Sequence, residues 1–399
     1  MKILSVTSQL PWPLNSGGNI RTFYIQKALS KDFDLKLLAP KRPDQQDAVS
    51  ELRSQGIHVE SVAIGERTKL GEMQKIARSL WHFEPYAMYG RHWYREVSQS
   101  LDRILAEFRP DLVWLDHLDS WLYADKARSH GVKVVIDLHN IYSVILSRTA
   151  DEKNNLALQS FLRREAKLLS LRERNAVQEA DAILAVSEQD RQHFIELGAK
   201  RAELVPNGVD CPKLAHLPIG RMNQRNSILF VGAMNWEPNQ SAAILLAKNI
   251  FPKVKSVIPE AQLVIVGKSP PPKIQQLETI DGVIVAGQVP EIQPYLERAS
   301  LLAVPLVTGG GTRLKILEAF AAGLPVVSTP VGAEGIDARD GESLLISEVE
   351  TMSEPIIQLL ASPELGQQIA TKARTIANEL YDWRVLGEKC VSIANQVIG

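Results

Sequence analysis

A stretch suited to holding an anion stands at 309–327, GGGTRLKILEAFAAGLPVV, between two runs with strand character. Gly309, Gly310 and Gly311 can bring backbone N–H groups close to a phosphate, Thr312 follows them, and the helix predicted next offers its positive end to the same charge. Lys315 and Glu318 are three apart, hence on one helix face, so a cation for phosphate and a carboxylate for ribose hydroxyls can address one nucleotide. Arg313, in the first turn, opposes the helix dipole, and an anionic ligand would give it a reason to be there. The same residues also fit a glycine-rich turn followed by a solvated Lys–Glu pair.

Other candidates sit where predicted strands end. PWPLNSGGNIRTFYIQKAL follows the first strand, and Gly17-Gly18 can line a crevice by close backbone approach, with Arg21 one turn on as a phosphate or acceptor contact. VKVVIDLHNIYSVI puts Asp137, His139 and Asn140 at a strand terminus, where a histidine can donate to ligand hydroxyls or sense developing charge; a packing role is the alternative. Gly232 ends another strand, with Asn235 and Asn239 after it, and Gly267-Lys268 opens a second phosphate-type loop. Asp32 and Asp34 have the spacing of a metal-binding pair but precede a strand far from any anion motif, so they read as turn chemistry and no metal is expected.

These residues need elements to hold them. Eleven short apolar runs alternate with helical patterns: 3–7, 34–39, 58–64, 111–115, 132–137 and 182–187, then 227–232, 262–267, 282–287, 301–306 and 324–329. That alternation predicts an α/β chain with two doubly wound parallel sheets, the second restarting after the Pro-containing stretch 210–227. A length of 399 residues also suits two domains. A formal net charge of −1 gives no general pull toward nucleic acid. Two cysteines at no metal spacing, no signal-like apolar core and no apolar run approaching ~20 residues fit a cytoplasmic protein that meets a membrane only at its surface. Residues 67–103 hold seven Arg/Lys against four Asp/Glu and include Trp81 and Trp93, which suits a sugar-stacking acceptor surface, peripheral membrane contact or an aromatic face packed inward.

The segment KILEAFAAGLPVVSTPVGAEG, Lys315 to Gly335, resembles the KxLEAMAxGxPVVxTxxGAEG pattern of retaining glycosyltransferases of family 4, and the resemblance runs over nearly the whole chain. It implies the GT-B fold: an N-terminal acceptor-side Rossmann-like domain (1–212), a C-terminal donor-binding one (213–380) facing it across a cleft, and a closing helix (381–399) crossing back. It implies metal-independent, cofactor-free transfer of a hexose-type sugar from a nucleotide diphosphate donor, with UDP favoured, to a saccharide or lipid-linked glycan acceptor. His139, Glu318, Lys315 and Arg313 then become the catalytic candidates. Glu318 would hold the donor ribose, 309–312 the diphosphate and sugar, and Gln288 and Val289 the nucleobase edge. Two departures stand out. The first of the family's two glutamates is replaced by Gly310, and the Arg and Lys usual after the strand glycine are missing, since Ala233 follows Gly232 and no cation comes before Lys248. A nucleotide-sugar epimerase of the same fold, or a binding protein without turnover, remains the alternative.

Overall fold

Each of the eleven runs carries a strand, because a short apolar segment can bury both faces only inside a sheet flanked by helices. The computed structural model describes residues 1–151, 153–220, 226–308 and 313–399. Its first sheet contains Lys2–Thr7 (β1), Asp34–Lys41 (β2), His58–Ala63 (β3), Leu112–Asp116 (β4), Lys133–Leu138 (β5), Ala182–Ala185 (β6) and Ala202–Leu204 (β7), in the order β3-β2-β1-β4-β5-β6-β7. The second contains Ser227–Val231 (β8), Gln262–Val266 (β9), Val283–Gly287 (β10), Leu301–Val304 (β11), Val326–Ser328 (β12) and Leu345–Ile346 (β13), in the order β10-β9-β8-β11-β12-β13. Every pairing between them is parallel. The two strands not anticipated, β7 and β13, are sheet edges of three and two residues, not marked out by a longer apolar run.

Contacts divide the chain into Met1–Pro206 with Leu386–Gly399, and Asn207–Val385. Against the sequence boundaries at 212/213 and 380/381, the breaks fall at 206/207 and 385/386. Hydrogen bonds explain the shift: Val209 N donates to Tyr381 O at 2.8 Å and Trp383 N to Val209 O at 3.2 Å, which ties 207–212 and 381–385 together inside the second unit. In the first unit, Gly387 lies so close to Ala28 that a side-chain carbon there would sit 2.5 Å from its Cβ.

In both sheets the winding reverses next to the first strand, between β1 and β4 and between β8 and β11. Open α/β sheets bind ligands outside the carboxyl ends of strands at such reversals. The helix after β1, Gly17–Asp32, is started by Ser16, whose side chain accepts from Asn19 N. The helix after β11, Leu314–Ala322, begins at Arg313 and stops at Gly323, whose φ of 68° is left-handed.

Candidate functional site

At the first reversal, β4 ends in Asp116, followed by His117, and His139 follows β5. Four groups lie within hydrogen-bonding reach of the Asp116 carboxylate: His117 Nδ1 at 2.7 Å, Thr22 Oγ1 at 2.9 Å, Thr7 Oγ1 at 3.1 Å and, on its other oxygen, His139 Nε2 at 3.1 Å. Asp137 lies 3.2 Å from the same His139 nitrogen and receives a two-pronged guanidinium fork from Arg21 at 2.6 to 3.1 Å. Burial works against every charge here, and the neighbours overrule it. His117 and His139 hold Asp116 well below the usual carboxylate range, Arg21 and His139 do the same for Asp137, and the two carboxylates push His139 up to about 9.

Arg21 is therefore not a phosphate or acceptor contact. It is fully buried, and its remaining donors go to the carbonyls of Val205 and Pro206 at 2.8 and 3.0 Å. What the cluster offers a ligand is narrower. The ring nitrogens turned away from Asp116, His117 Nε2 and His139 Nδ1, both face Gly18, where a Cβ would stand 3.2 and 3.7 Å from them. Gly18 is thus a close approach at which a side chain would crowd His117, and Gly17 begins the helix beside it. The two imidazoles lie against each other with centroids 3.6 Å apart and planes tilted by 39°, and His117 carries a left-handed φ of 65°. Among the described residues, Asp116, His117 and His139 form the one group able to converge on a metal ion. The same atoms form a hydrogen-bonded set, with His117 Nδ1 and His139 Nε2 both within hydrogen-bonding distance of Asp116. Sequence reasoning missed Asp116 and His117, whose signal is a charged and a polar residue closing the otherwise apolar LVWL.

At the second reversal, glycines replace side chains. Gly232 N donates to Val266 O at 3.0 Å and Gly267 N to Gly287 O at 2.8 Å, while a Cβ on Gly267 would fall 1.7 Å from Gly232 O. Three backbones therefore close on one another at the carboxyl ends of β8, β9 and β10. Asn239 presses on Gly232 and accepts from the Lys315 ammonium at 2.9 Å, and that ammonium lies 4.8 Å over the Phe230 ring. Lys315 is partly exposed, yet burial, reinforced by Arg313 and opposed by Glu318, pulls it down to about 7. Burial likewise pushes Glu318 up to about 7 against the pull of Lys315. Arg313 is also lowered by burial, with Glu334 opposing. The loop residues Gly309, Gly310, Gly311 and Thr312 lie outside the described residues.

The other candidates are more peripheral. Asn235, Lys268 and Gln288 are exposed, the Lys268 carbonyl accepting from Met234 N at 2.9 Å. Val289 helps line a cavity of about 330 Å³ with Pro290, Glu291, Pro294, Tyr295 and Arg298. Trp81 and Trp93 are exposed, so they are not part of an inward aromatic face.

Comparison with known proteins fits both units. The family described as glycosyl transferase 4-like domain matches residues 32–208, and that described as glycosyl transferases group 1 matches 225–362. The chain is a family 4 glycosyltransferase. This glycosyltransferase is 26% identical over 225 residues to a phosphatidyl-myo-inositol mannosyltransferase of Mycolicibacterium smegmatis, an alignment taking in 54% of this chain and 57% of that one. The match thus spans little more than half the length of that curated relative. A 44.6 kDa protein from the cps region of Klebsiella pneumoniae, uncharacterized, is 22% identical over 96% of both chains. Among solved structures, Anabaena HepE in complex with UDP superposes with a TM-score of 0.68 at 16% identity over 99% of this chain and 100% of that one. Sucrose-phosphate synthase from Thermosynechococcus elongatus gives 0.71 at 16% identity over 100% of this chain and 99% of that one. These likenesses establish the GT-B fold.

Proposed function

We propose that this glycosyltransferase moves a hexose-type sugar from a nucleotide diphosphate donor, UDP-linked by preference, to a saccharide or lipid-linked glycan acceptor, with retention and without a metal. The observation that carries the reading is the state of Lys315 and Glu318, both drawn to about 7 by burial that Asn239 and their mutual attraction only partly offset. A diphosphate beside Lys315 and a ribose diol on Glu318 would restore both charges. That site therefore gains most when a nucleotide occupies it. The UDP preference draws support from HepE, solved with UDP and with UDP-glucose, while some curated relatives are named as GDP-mannose-dependent.

In the proposed reaction the bond from the anomeric carbon to the β-phosphate oxygen breaks, the acceptor oxygen bonds to that carbon on the same face, and the acceptor proton passes to the departing phosphate. No protein nucleophile is consumed. His139, cationic at neutral pH, cannot serve there as a base; its Nδ1 is placed to donate to a ligand at Gly18. A lipid-linked acceptor would bring the enzyme to a bilayer surface.

The test is a panel of nucleotide sugars incubated without acceptor, with and without chelator. Slow release of free sugar and nucleoside diphosphate, insensitive to chelator, is the expected result. An epimerised donor, or a strict requirement for added divalent ion, would overturn the reading.

A further inference from the structure

The helix Lys69–His82 is amphipathic the wrong way round. It starts at Thr68, whose side chain accepts from Gly71 N, and ends at Phe83 in a left-handed conformation. Its polar groups turn toward the protein: Glu72 bonds Tyr86 and Lys75, the Lys75 ammonium sits 5.9 Å over the Tyr94 ring, and buried Ser79 donates to Glu84 O at 2.6 Å while its own carbonyl accepts from Arg164 at 2.6 Å. All of its large apolar side chains except half-buried Ile76 turn to solvent. Leu70 and Met73 are each 67% exposed, Leu80 48%, Trp81 83%, and Phe83, just past the end, 74%. With exposed Ala77 between them, positions 70, 73, 77, 80 and 81 repeat at helical spacing and form one stripe. Scattered exposed apolar residues need no explanation, but a contiguous stripe on a helix whose polar side is the packed one does.

Charge decides what covers it. The exposed charged and titratable residues of this helix, Lys69, Arg78 and His82, are all basic types, and its one acid, Glu72, is tied down by Tyr86 and Lys75. Nearby in the chain Arg67, Arg91 and Arg95 are exposed against Glu66 and Glu96, so the excess of charge remains basic. An apolar stripe carrying Trp and Phe, set among Lys and Arg, matches an anionic bilayer surface, where the rings and aliphatic chains reach the acyl boundary and the cations meet headgroup phosphates. We propose that the helix Lys69–His82 is a membrane-docking element that lays the Leu70–Met73–Leu80–Trp81 stripe into the surface of an anionic bilayer. The inference goes beyond the transfer reaction, since docking belongs to this helix and holds whichever acceptor is used.

The experiment is sedimentation of the full chain with vesicles of phosphatidylcholine alone or with about a third phosphatidylglycerol. Binding to the anionic vesicles is expected, weaker by about tenfold or more on phosphatidylcholine, in the Lys69→Glu/Arg78→Glu variant and in the Met73→Gln/Leu80→Gln variant. Both pairs are exposed, and a melting temperature close to that of the parent shows that the variants fold. No vesicle binding, equal binding to both vesicle types, or binding untouched by both variants would overturn the proposal. So would a dimer in the absence of vesicles that Met73→Gln/Leu80→Gln dissolves, which would assign the stripe to a second copy.

Discussion

The two sheet reversals both carry charged groups and treat them in opposite ways. In the N-terminal unit Arg21, Asp137, Asp116 and His139 answer one another, and Asp116, Asp137 and His139 are pushed further into their charged states than they would be in water. In the C-terminal unit Lys315 and Glu318 are each pulled toward neutrality. A completed network positions side chains; an incomplete one is a demand for a ligand. The comparison separates the residues that hold the architecture from those that hold the substrate, although both sets stand at equivalent points of similar sheets.

The largest effect expected from breaking the incomplete side is at Glu318. Glu318→Ala should abolish measurable transfer and weaken nucleotide binding while leaving the melting temperature near that of the parent, because its proposed partner is a ribose and not a core group. Activity assays beside a thermal melt check this, and unchanged transfer would remove Glu318 from the site. The completed side should respond the other way. Arg21→Ala strands the Asp137 carboxylate in a fully buried position, and breaking a pair of this kind costs about 3–5 kcal/mol. Chemical denaturation should show that loss, and a change below about 1 kcal/mol would mean that the network does not carry the fold.

A smaller effect sharpens the contrast through pH. His139 titrates at about 9 when folded against 6.5 for an ordinary histidine, so the folded state binds more protons between those values and loses that stabilisation as pH rises through 9. Lys315 titrates at about 7 when folded against 10.5, so its burial costs stability at and below pH 7 and stops costing by about 10. Melts across pH 7 to 9.5 should find His139→Asn less stable than the parent and Lys315→Met more stable, both gaps narrowing as pH rises. Gaps of the same sign would contradict the contrast.

The sheets and the phosphate-type helix were legible because periodicity reports burial, and all eleven long-enough strands lie where the runs predict them. The N-terminal cluster was only half legible. His139 and Gly18 stand at strand ends that pattern reveals, but the partners of Asp116 come from 109, 94 and 23 residues away, and no local signal carries such pairings. Arg21 misled for the same reason: an arginine in the first turn of a helix beside a glycine pair reads as an anion ligand until Asp137, 116 residues on, proves to be its anion. The helix Lys69–His82 was left open between three roles, since an amphipathic pattern tells that a helix has an apolar side but not which way that side points.

The central claim is that Lys315, with Arg313, answers a diphosphate charge that the missing cations after Gly232 leave open. Charge-assisted bonds of this kind contribute roughly 1.5 to 3 kcal/mol each, equivalent to about a ten- to hundredfold change in affinity. The direct test is calorimetric titration of UDP and of uridine, which lacks the phosphates, into the parent, Arg313→Ala and Lys315→Ala. UDP should weaken about ten- to hundredfold in each variant with uridine nearly unchanged; UDP affinity within about twofold of the parent, or an equal loss for uridine, would contradict the account.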